Sequence, residues 1–165
     1  YLDSTYVIDF DALYRAGYRG VIFDIDNTLV PHGAPATKEA AAFFASLRET
    51  GFSTCLLSNN QKPRVAPFAD AVGSIYIENA HKPSVKNYQE ACRRMGIKEE
   101  QAVFVGDQLF TDVYGAKRTG LYNILTEPIN PKEEIQIVLK RYLEHIVLFF
   151  YERDLARGRI TKKNS

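Results

Sequence analysis

Gly20-Val21-Ile22-Phe23-Asp24-Ile25-Asp26-Asn27-Thr28 joins an unbroken apolar run to an acidic, turn-forming end. A strand with one wet face alternates apolar with polar side chains. Val21, Ile22 and Phe23 do not alternate, which is the pattern of a strand in a parallel sheet covered by helices on both faces. Similar runs bounded by Gly, Asn or Asp stand at Phe52 to Leu57, Ser74 to Ile77, Ala102 to Val105 and Leu121 to Leu125. Helical patterns separate them. Thr37 can N-cap a helix with Ala40, Phe43, Phe44 and Leu47 facing inward and Gly51 closing it. Ser84 can cap another, with Val85, Tyr88, Ala91, Cys92 and Met95 inward and Gly96 at its end. A third is expected from Thr111 to Thr119, stopped by Gly120. Between Pro63 and Val72 a fourth is expected to be kinked or delayed, because Pro67 lacks an N–H donor. Strands alternating with helices predict a three-layer, Rossmann-like open α/β sheet of about five parallel strands, wound with right-handed crossovers.

Composition agrees with one such domain. The chain has 165 residues, 45% of them hydrophobic and 25% charged, and a net charge of +1. That balance creates no whole-molecule field to gather nucleic acid, and no nucleic-acid partner is expected. Cys55 and Cys92 lie in apolar stretches and read as buried free thiols of a reducing compartment. No run approaches the roughly 20 apolar residues that span a bilayer, and the N-terminus lacks a signal-peptide layout. The expected location is cytoplasmic, with room for peripheral contact at a membrane. Met95 is the only methionine, so a chain beginning at Tyr1 is expected to lack its initiator.

In open α/β sheets ligands gather at the carboxyl ends of the strands. The residues there are Asp24 to Thr28, Ser58-Asn59-Asn60, His81-Lys82 and Gly106-Asp107, all polar sets. Aspartates at i and i+2 of extended backbone point to one side, and such a carboxylate pair needs a cation or a proton. A hard divalent cation suits it, with Asp107 delivered from another strand end. One carboxylate can attack phosphorus while the other protonates the leaving oxygen and then activates water. Ser58 and Asn59 can donate to phosphate oxygens, and Lys82 can supply a compact positive charge. No Walker loop, zinc-binding histidine pair or serine elbow competes with that inventory. His81, with no evident partner, reads as structural or substrate-adjacent, and His32, in the loop after the first acidic turn, reads as incidental or as near the substrate.

Phe23-Asp24-Ile25-Asp26-Asn27-Thr28-Leu29-Val30, Leu57-Ser58-Asn59-Asn60, Lys82-Pro83 and Gly106-Asp107-Gln108-Leu109-Phe110-Thr111-Asp112 resemble the four motifs of haloacid dehalogenase-superfamily phosphatases. Within that superfamily the chain is most similar to subclass IIIA and its bacterial YqeG family, related to mitochondrial phosphatidylglycerophosphate phosphatases. The resemblance covers about residues 20 to 125. It implies Asp24 as nucleophile and metal ligand, Asp26 as general acid/base with its backbone carbonyl on Mg²⁺, and Asp107 as a further metal ligand. It implies Ser58, Asn59 and Lys82 as the phosphate-binding set, Asp112 as orienting metal-bound water or Lys82, and Thr28 as bracing the loop. An acid at position 26 marks phosphatases of this superfamily rather than dehalogenases or ion-pumping ATPases. The implied activity is Mg²⁺-dependent phosphomonoester hydrolysis through an aspartyl-phosphate, with phosphatidylglycerophosphate as leading substrate. The alternatives are a phosphoprotein or nucleotide phosphatase, or a binding module that kept the fold without turnover.

The gaps from Thr28 to Ser58 and from Ser58 to Lys82 are too short for a cap domain, since a domain takes about 50 residues or more. An open site favours a large or membrane-presented substrate that itself excludes water. From Asn130 onward, Pro131 and Glu133 read as the start of an amphipathic helix. Ile135, Val138, Leu139, Tyr142, Leu143, Ile146, Val147 and Phe150 form its stripe, while Ile137, Leu148, Phe149 and Tyr151 spill onto other faces. Arg153, Arg157, Arg159, Lys162 and Lys163 follow as a basic tail. Residues 130–165 are therefore expected to dock on their own domain, touch an anionic membrane or form a homodimer.

Overall fold

A computed structural model describes residues 1–130, 144, 147–149, 151 and 153. The chain separates into two compact units, residues 1–130 and 131–165. In the first, a turn of 3-10 helix (Thr5–Val7) and α1 (Phe10–Arg15) precede β1 (Gly20–Phe23). There follow α2 (Lys38–Thr50), β2 (Ser53–Leu57), α3 (Lys62–Val72), β3 (Ile75–Ile77), α4 (Val85–Met95) and β4 (Ala102–Gly106). A π-helical turn (Leu109–Val113) runs into α5 (Tyr114–Thr119), and β5 (Tyr122–Leu125) ends the sheet. The five strands are all parallel, in the order β3-β2-β1-β4-β5. This is the predicted open α/β sheet.

Both faces of the sheet are covered, which explains the unbroken apolar runs. Val21, Phe23, Leu56, Val103 and Val105 pack into a cluster with Phe10, Phe44, Leu47, Val65 and Phe68 from α1, α2 and α3. Ile22, Cys55, Leu57 and Phe104 point the other way, toward Tyr88, Ala91 and Cys92 of α4 and Ala116 of α5. Both cysteines are buried free thiols. Thr37 caps α2 by accepting from the Ala40 N–H, and Gly51 closes the helix in the left-handed region. Ser84 precedes α4 without a side-chain cap, its own N–H donating instead to His81 O at 2.8 Å.

Three details depart from the sequence reading. α3 begins at Lys62 and continues through Pro67 to Val72. Proline there removes one hydrogen bond near the helix start, and burial of Val65, Phe68, Ala69 and Val72 outweighs that loss. The helix expected from Thr111 begins as a π-helical turn from Leu109. Thr5–Val7 and α1 had no periodic signal, yet Thr5, Phe10 and Leu13 are buried. No domain is inserted between β1 and β2, which α2 alone connects, or between β2 and β3, which α3 connects.

Of the second unit, residues 144, 147–149, 151 and 153 are helical, with Glu144 buried and Val147, Phe149 and Tyr151 exposed. The rest of the expected amphipathic stripe and the basic tail beyond Arg153 lie outside the described residues. Among the described residues, no helix is long and apolar enough to cross a membrane.

Candidate active site

β1 lies between β2 and β4, and the chain leaves it first toward β2 and later returns to its other side as β4. The loops after β1 and β4 thus part at the carboxyl edge, where a crevice opens. Asp24 leaves β1 with its N–H still donating to Val105 O at 3.0 Å. The chain then turns at Asn27, whose φ of 64° is left-handed. Leu29 N–H donates to Ile25 O at 3.0 Å and Asn27 N–H to Val30 O at 2.7 Å, closing the loop. Ile25, Leu29 and Val30 are buried beneath it and anchor the polar residues between them. The N-terminal segment clamps the same loop, with Thr5 Oγ1 donating to Thr28 O at 2.9 Å and Tyr6 OH to Leu29 O at 2.8 Å.

The carboxylates of Asp24, Asp107 and Asp112 converge, each offering an oxygen within 4.8 Å of the others, and all three residues are buried. Lys82 Nζ stands 2.7 Å from Asp24 Oδ1 and 2.7 Å from Asp112 Oδ1. Asp112 Oδ2 accepts from Gln108 N–H at 3.0 Å, so both its oxygens are engaged. Gly106 permits this approach, because a Cβ there would lie 2.5 Å from Asp112 Oδ2. Tyr88 OH donates to Thr111 O at 2.7 Å and fixes the π-helical turn that carries Asp112. Thr28 Oγ1 donates to Asp107 Oδ1 at 3.0 Å, tying the first loop to the fourth strand end.

Two of the three carboxylates, Asp24 and Asp112, share the Lys82 ammonium, and Asp107 lies beside them. Burial pushes the Asp24 carboxyl above the ordinary carboxylate range, the Lys82 charge opposes this, and the Asp112 charge adds to it. Burial acts to lower the Lys82 pKa, but Asp112 and Asp24 outweigh it and raise it, so the ammonium stays charged. The surplus negative charge and the all-oxygen donor set fit a hard divalent cation.

At the end of β2, Ser58 is buried and its Oγ accepts from Asn60 N–H at 3.1 Å. Asn59 spends its amide on the main chain of Lys82: Oδ1 accepts from Lys82 N–H at 2.6 Å and Nδ2 donates to Lys82 O at 3.4 Å. A contact from Asn59 to phosphate therefore falls to its backbone. Asp26 does not join the converging carboxylates. Its Oδ1 accepts from Gly33 N–H and from Arg64 Nη2, both at 2.8 Å, and its Oδ2 accepts from Asn60 Nδ2 at 2.6 Å. The rule of extended i and i+2 residues fails at this point because β1 ends at Phe23 and the chain is already turning.

Arg64 and the side chain of Asn60 had no place in the sequence-derived site. Arg64 lies on the first turn of α3, a helix expected to be kinked or delayed by Pro67. Its spacing from Asp26 carries no local signal; only the pairing of β1 with β2 brings them together.

A family model of haloacid dehalogenase-like hydrolases matches residues 33–120. The chain is 33% identical over 154 residues to the probable phosphatase YqeG of Bacillus subtilis (strain 168), covering 93% of this chain and 90% of that one. It is 29% identical over 161 residues to the chloroplastic/mitochondrial phosphatidylglycerophosphate phosphatase 1 of Arabidopsis thaliana, spanning 92% of this chain but 46% of the plant protein. A crystal structure of a protein from Corynebacterium glutamicum shares the fold at a TM-score of 0.55 and 22% identity, over 67% of this chain and 86% of that one.

Proposed function

The chain belongs to the haloacid dehalogenase-like hydrolases, among their phosphatases, and from that premise we propose that it hydrolyses phosphomonoesters through a phosphorylated Asp24. The observation that carries this reading is the meeting of Asp24, Asp107 and Asp112 at the carboxyl edge of the sheet, with Lys82 bridging Asp24 and Asp112. Ser58, Lys82 and the Asn59 main chain would receive the phosphate oxygens. An Asp24 carboxylate oxygen attacks phosphorus, the bond from phosphorus to the ester oxygen breaks, and Asp26 gives that oxygen its proton. Water then attacks the phosphorus of the acyl phosphate. Asp26 takes a proton from that water, and Asp24 and inorganic phosphate are released. Asp24, Asp107 and the backbone carbonyl of Asp26 would hold Mg²⁺, which supplies positive charge to the phosphate oxygens and the crowded carboxylates. Asp112 fixes Lys82, and Thr28 fixes Asp107.

Phosphatidylglycerophosphate is the proposed natural substrate. The name of the plant relative supports it, and so do the short connections between strands, which among the described residues hold no inserted cap domain. The experiment is hydrolysis of an aryl phosphate and of phosphatidylglycerophosphate with Mg²⁺, joined to acid quenching with substrate labelled on the phosphate. Label should appear on the wild-type chain and vanish in Asp24→Asn, with turnover down at least about a thousandfold. Activity that survives Asp24→Asn defeats the assignment of the nucleophile.

A further inference from the structure

Beside Asp26 lies a groove of about 350 Å³ between the loop after β1 and one side of α3. Gly33 and Ala36 form one wall and Pro63, Pro67 and Ala71 the other, with Arg64 between them. The groove and the site share an atom: Gly33 N–H and Arg64 Nη2 both reach Asp26 Oδ1. Asp26 is the proposed donor to the ester oxygen, so the part of the substrate that departs with that oxygen lies on this side.

Arg64 has donors to spare. A guanidinium offers five N–H groups. Among the described residues Arg64 makes one hydrogen bond, to Asp26, and its Nε is buried without a partner. The side chain is only 21% exposed, lies over the Phe68 ring, and has Asp26 as its ion partner. Unspent donors on a mostly buried side chain are costly, and a second anion beside Asp26 would satisfy them. The remaining walls are proline rings, alanines, a glycine and the Phe68 ring, which suit an apolar body.

We propose that this groove is the leaving-group subsite and that Arg64 selects phosphomonoesters whose leaving group carries a second anion, the phosphodiester of a glycerophospholipid head, next to its apolar part. The inference rests on the aspartyl-phosphate reading above and adds to it what the enzyme distinguishes. A phosphodiester seated beside Arg64 competes with Asp26 for the guanidinium and frees the Asp26 carboxyl to turn toward the ester oxygen. A leaving group without that charge leaves Asp26 held by Arg64, Asn60 and Gly33.

The test compares kcat/KM on three substrates: an aryl phosphate, short-chain phosphatidylglycerophosphate, and its deacylated, water-soluble head. Arg64→Gln should lower kcat/KM on both diester-bearing substrates about ten- to a hundredfold more than on the aryl phosphate, the range of a charge-assisted contact. Arg64→Lys should recover part of the difference, chiefly in KM. Ala71→Trp, which narrows the groove from an exposed position, should penalise the acylated lipid more than its deacylated head. An equal loss on all three substrates in Arg64→Gln overturns the proposal and leaves Arg64 as a support for Asp26. Unchanged selectivity in Arg64→Gln and Ala71→Trp overturns it as well. Failure of the underlying reading looks different, since Asp24→Asn would then match wild type on every substrate, whether both are active or both inactive.

Discussion

Gly106→Ala places one methyl group against the part of the site that fixes Lys82. The added Cβ would stand 2.5 Å from Asp112 Oδ2, 2.7 Å from Cγ and 2.8 Å from Cβ. Gly106 cannot retreat cheaply, because its carbonyl accepts from Thr126 N–H at 2.9 Å and its strand pairs with β1 and β5. Asp112 must therefore move, away from Gln108 N–H and from Lys82. Overpacking costs about 1–3 kcal/mol, and a weakened hydrogen bond to a charged group adds up to about 1.5–3 kcal/mol. A total of about 2.5–6 kcal/mol lowers Tm by roughly 5–24 °C in a domain of this size. Urea denaturation at fixed pH without metal measures the free energy directly. In an Asp112→Ala background the carboxylate is gone and the methyl group has less to displace, so the two changes should couple by at least about 0.5 kcal/mol. Turnover should fall with the stability loss in the single variant, because Lys82 loses its fixed partner. A cost below about 0.5 kcal/mol, or the same cost in both backgrounds, would refute the reasoning.

Tyr88→Phe removes the donor to Thr111 O; urea denaturation should show a loss of about 1–3 kcal/mol, with a lower kcat as the turn carrying Asp112 loosens. Mg²⁺ at a hundredfold excess over its Kd should stabilise the protein by about 2.7 kcal/mol in a thermal scan against EDTA, and Asp107→Asn should abolish most of that gain. Burial pushes the thiols of Cys55 and Cys92 up to about 12; a thiol reagent at pH 8 should leave the native protein unlabelled and modify both residues in denaturant. Phe44→Ala, in the fully buried centre of α2, should cost about 3–5 kcal/mol by leaving a cavity.

The sheet could be read from the chain because its information is local. Unbroken runs such as Val21 to Phe23 and Val103 to Val105 report burial on both faces, and glycines at 51, 96 and 120 mark where helices stop. Asp24 and Asp107 were legible for a related reason. Both sit one step past a strand, and the strand ends of a parallel sheet share an edge. Partnership was not legible. Arg64 with Asp26 and Asn60 with Asp26 are contacts between segments far apart in sequence, set by strand order and by turns that no periodicity encodes, whereas Asp112 beside Lys82 is one of the two roles that the family resemblance implied. The short helix α1 and the clamp of Thr5 and Tyr6 on the first loop escaped for lack of a repeat long enough to read.

By itself, then, the sequence determined which residues are apolar, where the backbone can turn, and which acids and bases stand at strand ends; these follow from side-chain chemistry and spacing. Tertiary structure alone decided that Asp112, and not the Asp26 carboxylate, joins Asp24 and Asp107. It gathered Asp24, Asp107 and Asp112, and gave Asp26 to Arg64 at the head of an apolar groove. The physical reason is that a charge in a buried site is defined by its neighbours in space, and here those neighbours arrive on separate strands and helices.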